Sequence, residues 1–193
     1  MLLPAHRLVD RLRHPRSRAD ELTALRRRFA EVDRAAASDD ERAVAAQLRE
    51  LRLQLSRALA GTTSCSSCAR GYPLPHGRWD GGHCCGGRTE ELFSEDEVAA
   101  LALGGTRVSS LRAPTGDHAG CAFRGSEGCS LEVADRPNLC VRYVCRGLET
   151  ELRGSGRWDE VRVVARRLRE TFARFVALRE ERAAEEWVAL RIE

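Results

Sequence analysis

Residues 120–145 read GCAFRGSEGCSLEVADRPNLCVRYVC, and this stretch decides the fold of the 193-residue chain. It holds four cysteines in two pairs, with seven residues inside the first pair and four inside the second. Glycine and proline interrupt the stretch, so no long helix or strand can form across it. A segment of this kind cannot bury a large apolar core, and a bound metal often takes the place of one.

Four more cysteines lie upstream of this stretch. Cys65 and Cys68 form a CxxC, and Cys84 and Cys85 are adjacent, with fifteen residues between the two groups. A CxxC in a tight turn can direct both thiolates at one ion, and two such chelates complete a four-thiolate site. All eight cysteines lie within residues 65–145. The candidate metal ligands are therefore Cys65, Cys68, Cys84, Cys85, Cys121, Cys129, Cys140 and Cys145.

The cofactor predicted from these donors is Zn²⁺ or iron. Eight thiolates fill two zinc sites of four ligands each. Alternatively, four thiolates hold a 4Fe–4S or 2Fe–2S cluster and the others have separate roles. Sulfur-only donors argue against magnesium and calcium. His76, His83 and His118 lie in the same region, and His83 could replace a thiolate or serve as a hydrogen-bond donor beside the centre.

The cellular compartment decides between metal ligation and disulfide bonding. The N-terminus lacks the apolar stretch of a secretory signal, and no apolar run is long enough to cross a bilayer. We therefore expect a bacterial-type cytoplasmic protein with no membrane contact. Thiols stay reduced in that compartment, so clustered cysteines there are more often metal ligands than disulfides.

The chain divides into three parts by composition. We predict an N-terminal helical arm over residues 1–61, a Cys-rich zinc- or iron-chelating domain over 62–150, and a long C-terminal helix over 151–193 that packs on the N-terminal arm. The expected fold is mainly α. A helical hairpin and the long C-terminal helix flank a small, irregular Cys-rich metal-binding domain.

Apolar periodicity and capping signals place the helices. We expect a short helix over residues 3–13 that ends at His14-Pro15, and a second helix after Ser17. Ser38 and Glu41 form the capping box of a third helix, and Ser94 and Glu97 form another before a Gly104-Gly105 stop. The apolar stripes of the second, third and C-terminal helices are Leu22, Leu25, Phe29 and Val32; Val44, Leu48, Leu51, Leu55 and Leu59; and Val161, Val164, Leu168, Phe172 and Phe175, the last extended by Trp187 and Leu190.

These narrow apolar faces need partners. The second and third helices are expected to form an antiparallel hairpin, which the C-terminal helix completes as a three-helix bundle. The alternative is that part of this surface recruits a protein partner or a second copy of the chain. All 32 basic residues are arginine, which is typical of a GC-rich genome, and the net charge is only +3. A nearly balanced charge argues against nucleic-acid binding.

From Cys84 onward, the order of features resembles the YkgJ-like cysteine-cluster family of zinc- or iron-chelating proteins. The most specific part is Arg-Pro-x-x-Cys-x-x-Tyr-x-Cys, which runs from Arg136 through Tyr143 to Cys145. The family usually opens with a compact CxxCxxCC, whereas here the CxxC and the CC are far apart. The resemblance therefore implies ligation by the six cysteines from Cys84 onward more directly than by Cys65 and Cys68.

The resemblance implies metal chelation and does not specify a reaction. No Ser–His–Asp spacing, P-loop or HExxH motif is present, and whether the chain is an enzyme stays open, with the sequence leaning against it. We expect a structural or interaction module that binds metal. The alternatives are an iron–sulfur redox or protein-modifying enzyme component, and a zinc-ribbon-like nucleic-acid binder. Arg136 is expected to offset the charge of the thiolates through N–H···S contacts, to form a turn with Pro137, or to do both.

Overall fold

The computed structural model describes residues 12, 16–64, 87–115, 120–125, 128–189 and 191, and these residues are mainly helical. The helix predicted over residues 3–13 lies outside the described residues except for Leu12, and so does the predicted stop at His14-Pro15. No helix in the described part of the chain is both long enough and apolar enough to cross a membrane.

Seven α-helices and one short hairpin make up the described residues. The helices are α1 (Arg18–Ala30), α2 (Asp39–Ala58), α3 (Thr89–Leu92), α4 (Glu95–Leu103), α5 (Asn138–Arg142), α6 (Arg146–Gly154) and α7 (Trp158–Ala189). Single 3-10 turns occur at Val108–Ser110 and Val133–Asp135. Strands β1 (Arg124–Gly125) and β2 (Gly128–Cys129) pair antiparallel.

Local capping explains where the first two long helices begin. The Ser17 side chain accepts a hydrogen bond from the Asp20 amide at the start of α1. At the start of α2, Ser38 and Glu41 exchange both hydrogen bonds of a capping box, which confirms that prediction. Both caps satisfy amides that have no partner within the helix.

The helical core lies between α2 and α7. It contains Leu48, Leu51 and Leu55 from α2 and Val161, Leu168 and Phe175 from α7, all buried. Arg157 Nη1 donates to the Ala60 carbonyl at 2.6 Å, and Arg182 Nε lies 3.1 Å from Glu41 Oε2 at the other end. The two helices therefore run antiparallel, and each α2 turn faces a turn of α7.

The end of α7 extends past the first turn of α2. Glu41 in that first turn already faces Arg182, so no part of α2 remains to cover the residues that follow. Trp187 is 55% exposed, so the prediction that it extends the buried stripe is wrong. The side chain of Leu190 lies outside the described residues.

The cysteine-side core is a second apolar cluster. Leu22, Leu25 and Phe29 of α1 pack there with Phe93, Phe123, Cys121 and Leu131. The Phe93 ring lies 6.4 Å from the Phe29 ring and 5.6 Å from the Phe123 ring, centroid to centroid. Helix α1 thus buries its apolar face among elements of the Cys-rich region. The expected hairpin of α1 and α2 does not share one core, because their apolar faces belong to different clusters.

Phe93→Ala tests this arrangement, because the ring is fully buried and joins α1 to the hairpin. Truncation of a buried phenylalanine costs about 3–5 kcal/mol. We expect a loss of that size in the free energy of unfolding, measured by urea denaturation. A loss below about 1 kcal/mol would show that the cysteine-side core does not depend on this ring.

Candidate metal centre

The structure describes four of the eight predicted ligands. Cys121, Cys129, Cys140 and Cys145 belong to the described residues. Cys65, Cys68, Cys84 and Cys85 lie outside them, as do His76, His83 and His118. Within the described ranges, no three His, Cys, Asp or Glu side chains are grouped as a metal site.

The β1–β2 hairpin positions the first cysteine pair. Cys129 ends β2, where its Cα pairs with that of Arg124, and Cys121 precedes β1. The Cys121 carbonyl accepts from the Arg124 amide at 3.1 Å, which closes a turn directly before the strand. Gly120 has φ +91°, a conformation that favours glycine, so the chain can enter this turn without strain. The hairpin therefore places Cys121 and Cys129 near each other.

Cys121 is buried in the cysteine-side core, with Thr89 and Glu21 as polar neighbours. Its side chain is 6% exposed, and burial raises the pKa of its thiol to about 12, with the neighbouring Cys129 and Glu21 adding to the rise. Thr89 Oγ1 accepts from the Ala122 amide at 2.8 Å and donates to Glu21. Without a cation nearby, the thiol form is thus strongly favoured here.

Arginine side chains hold the hairpin by its carbonyl oxygens. Arg136 Nε donates to the Leu131 carbonyl at 2.9 Å, and its Nη2 donates to the Cys129 carbonyl at 3.3 Å. Arg18 of α1 donates to the carbonyls of Pro114 and Arg124. We predicted that Arg136 donates to thiolate sulfur, forms a turn with Pro137, or does both. Both of these Arg136 hydrogen bonds go to main-chain oxygen and fix the backbone around Cys129.

The second cysteine pair lies on the helical core. Cys140 is in α5, and Cys145 is the N-cap residue of α6. Val141 is buried in the helical core, and Cys145 packs against it. Cys121, by contrast, belongs to the cysteine-side core, and Cys129 packs against that core. Each pair is therefore attached to a different apolar cluster.

A buried polar network anchors the start of α5. Arg52 of α2 is fully buried; its Nε donates to Asn138 Oδ1 at 2.9 Å and its Nη1 to the Ala134 carbonyl at 3.2 Å. Glu97 of α4 accepts from the Asn138 amide at 2.8 Å and from Asn138 Nδ2 at 3.3 Å. Arg52 Nη2 and Glu97 Oε1 are 3.9 Å apart. The helix that carries Cys140 is thus joined to α2 and α4 together.

Burial shifts the pKa of both charged members of this network. It raises the pKa of Glu97 to about 7, with hydrogen bonds from Asn138 and the charge of Arg52 opposing the rise. It lowers the pKa of Arg52 to about 10, with Glu97 opposing the fall. Both shifts run against the charged forms, so desolvation outweighs the attraction between the two groups at this separation.

The sequence analysis missed this network, although one signal was present. Arg52 follows Leu48 by four residues and precedes Leu55 by three, so it lies on the apolar face of α2. The predicted capping box at Ser94 is only half formed: the Ser94 side chain accepts from the Glu97 amide. The Glu97 carboxylate instead accepts hydrogen bonds from Asn138, so the expected return bond to Ser94 is replaced by a tertiary one.

The described residues on either side of positions 65–86 also contact these elements. Glu151 of α6 accepts four hydrogen bonds, from the amides and hydroxyls of Thr63 and Ser64. These bonds lower the pKa of Glu151 to about 2. At the other end, Thr89 contacts the residues around Cys121. The described chain therefore contacts α6 before position 65 and contacts the residues next to Cys121 after position 86.

Comparisons with known proteins add no family assignment. No protein-family model, curated protein or solved structure matches this chain.

Arg52→Met should destabilise the fold strongly. The change leaves Glu97 and Asn138 buried without their guanidinium partner, and such a loss costs about 3–5 kcal/mol. Arg57→Met on the same helix is the matched control, since Arg57 is exposed and its ion pair with Glu50 contributes at most about 1 kcal/mol. Urea denaturation of both variants measures the difference. Equal losses in the two variants would contradict an anchoring role for Arg52.

Glu97 should make stability depend on pH. Its pKa is higher in the folded chain than in the unfolded chain, so folding takes up a proton between those two values. Stability should therefore fall as the pH rises from about 5 to about 7.5, by at most about 3 kcal/mol. Glu97→Gln removes this titration, so the gap in urea midpoint between the two proteins should change over that range. A gap that stays constant would contradict the prediction.

Proposed function

We propose that this chain is a cysteine-cluster protein whose thiolates hold Zn²⁺ or an iron centre, including a 4Fe–4S cluster. In this proposal its helices present the centre to protein partners. The observation that carries it is the placement of the described cysteines. Both pairs lie on well-packed elements, and arginine and carboxylate contacts fix the backbone beside them.

The described residues fit half of such a centre. Thiols suit zinc and iron–sulfur centres, and the hairpin brings Cys121 and Cys129 close enough to interact electrostatically. Two thiols do not complete a four-thiolate site, so further ligands have to come from other cysteines. The segment that carries the remaining four begins after Ser64, which bonds to Glu151 of α6, and ends before Thr89, which contacts Cys121.

The residues around Cys121 would shape the chemistry of a bound ion. A metal ion binds the thiolate form, so binding displaces the thiol proton from a position where burial otherwise keeps it. Thr89 lies beside this sulfur and can accept a hydrogen bond from the thiol, since its own hydroxyl proton is donated to Glu21. Because all candidate donors are cysteines, the ligand set leaves no evident position for substrate, which favours a structural or electron-transfer role over Lewis-acid catalysis.

Metal analysis of anaerobically purified protein tests the proposal. We expect at least one zinc ion per chain, or iron and sulfide in equal amounts with visible absorption. Cys121→Ser/Cys129→Ser should lower the metal content by at least half. Ser109→Ala, an exposed change on a 3-10 turn, is the control and should keep the wild-type content.

Two outcomes would contradict the proposal. The first is wild-type protein without metal whose thermal unfolding is unchanged by a strong chelator. The second is a bound metal that persists in the double serine variant at the wild-type amount. Zinc in a colourless protein would assign the structural role, whereas iron with stoichiometric sulfide would assign the redox alternative.

A further inference from the structure

The Glu151 carboxylate of α6 binds the chain directly before the first cysteine. Its Oε1 accepts from the Thr63 amide at 2.7 Å and from the Thr63 hydroxyl at 3.2 Å. Its Oε2 accepts from the Ser64 amide at 2.9 Å and from the Ser64 hydroxyl at 2.6 Å. Each carboxylate oxygen therefore holds the amide and the hydroxyl of one residue, and Cys65 is the next residue in the sequence.

The charge of Glu151 is directed at these neutral donors. The Ser64 hydroxyl contributes most to the low pKa of Glu151, followed by the amides of Thr63 and Ser64, so the side chain stays ionised at neutral pH. Hydrogen bonds to an ionised acceptor are stronger than those between neutral groups. Glu149, two positions earlier on the same helix, accepts instead from the guanidinium of Arg153. The two acids of α6 thus have different tasks.

The chain that leads to Ser64 runs along α6. Arg157, which follows α6, donates to the Ala60 carbonyl at 2.6 Å. Four positions later, Ser64 is held by Glu151 from within α6. The chain thus advances from the C-terminal end of α6 towards its N-terminal end, where Cys145 is the N-cap residue.

The Cys145 end of α6 lies within reach of the anchored chain. Cys145 precedes Glu151 by six positions, which corresponds to about 9 Å along the helix axis. Side chains of a helix tilt towards its N-terminus, so the Glu151 carboxylate leans towards Cys145. One residue of extended chain spans up to about 3.6 Å. The four residues of the CxxC, 65–68, are therefore long enough to cover this distance.

We propose that Glu151 is a positioning residue of the metal centre: it fixes the chain at Ser64, so that the CxxC at residues 65–68 starts beside α6 and Cys145. The backbone next to these ligands is then ordered before the ion arrives, and metal binding loses less conformational entropy. This role rests on the proposed function, because it requires residues 65–68 to contribute ligands.

The Zn²⁺ affinity of the full chain tests this role. Metal is removed under anaerobic, reducing conditions, and Zn²⁺ alone is added back in competition with a chromophoric chelator. Glu151→Gln keeps the size of the side chain, but it removes the charge and places an amide NH₂ group among donors. We expect its dissociation constant for Zn²⁺ to rise about tenfold or more, as is typical when a residue that orients metal ligands is replaced.

Two further variants connect the effect to this contact. Glu149→Gln makes the same chemical change on the same helix and should keep the wild-type affinity. Ser64→Ala removes the hydroxyl that lies 2.6 Å from Glu151 and should weaken Zn²⁺ binding in the same direction. The double variant Ser64→Ala/Glu151→Gln should bind about as well as Glu151→Gln alone, because both changes break one contact.

Urea denaturation of the metal-free proteins separates positioning from stability. Metal-free Glu151→Gln should have a urea midpoint close to that of Glu149→Gln, and circular dichroism checks that both stay helical. A drop in the midpoint that accounts for the whole loss of affinity would assign the contact to the fold and overturn this role. Zn²⁺ bound by Glu151→Gln with wild-type affinity would contradict this role alone. Wild type that takes up no Zn²⁺ would contradict the proposed function and this role together.

Discussion

The arrangement of the two apolar cores depends on the hydrogen bonds that the buried Arg52 guanidinium donates. This side chain projects from the apolar face of α2 and reaches Asn138 and Ala134, and so attaches the cysteine-bearing segment to the helical core. Glu97 reaches the same asparagine from α4, which belongs partly to the cysteine-side core. A planar fork of donors can serve two acceptors at fixed angles, which the single ammonium of lysine does less well. One buried side chain thus sets how the two cores are joined.

The same chemistry recurs across the irregular region. Loops and short turns leave carbonyl oxygens without partners in a helix or sheet, and buried ones have to be satisfied elsewhere. Arginines from the helices and from the irregular region itself supply these donors. Arg26 reaches the Leu111 carbonyl, Arg49 reaches that of Gly104, and Arg136 holds those of Leu131 and Cys129. All 32 of the Lys and Arg positions hold arginine. In this fold, several of their guanidinium groups donate to main-chain carbonyl oxygens and so link the irregular region to its surroundings.

Features governed by neighbouring residues were predictable from the sequence, and those governed by distant contacts were not. The Ser38–Glu41 box and the α2 stripe depend on residues three or four apart, and both were predicted correctly. The partner of α1 was not, because an apolar face at helical spacing does not say which apolar face it meets. Glu97 shows the same limit: its position predicts a hydrogen bond from Ser94, yet its carboxylate accepts from a buried asparagine forty-one residues away. For the candidate site, residue type and spacing identified eight cysteines. The backbone supports, Arg52, Arg136 and Glu151, act across 5 to 88 residues of sequence, so spacing carries little sign of them.

The two apolar clusters also explain why a cysteine centre would matter to this fold. The helical core and the cysteine-side core each bury complete side chains, but the chain between Phe123 and Cys145 contributes only short elements to either. A ligand set drawn from both cysteine pairs would cross-link the two clusters at a second place, beside the one that Arg52 already joins. A structural zinc contributes about 10–16 kcal/mol of binding free energy, which exceeds what any single buried hydrogen bond supplies. The irregular segment can therefore stay short of apolar residues and still be held against both clusters.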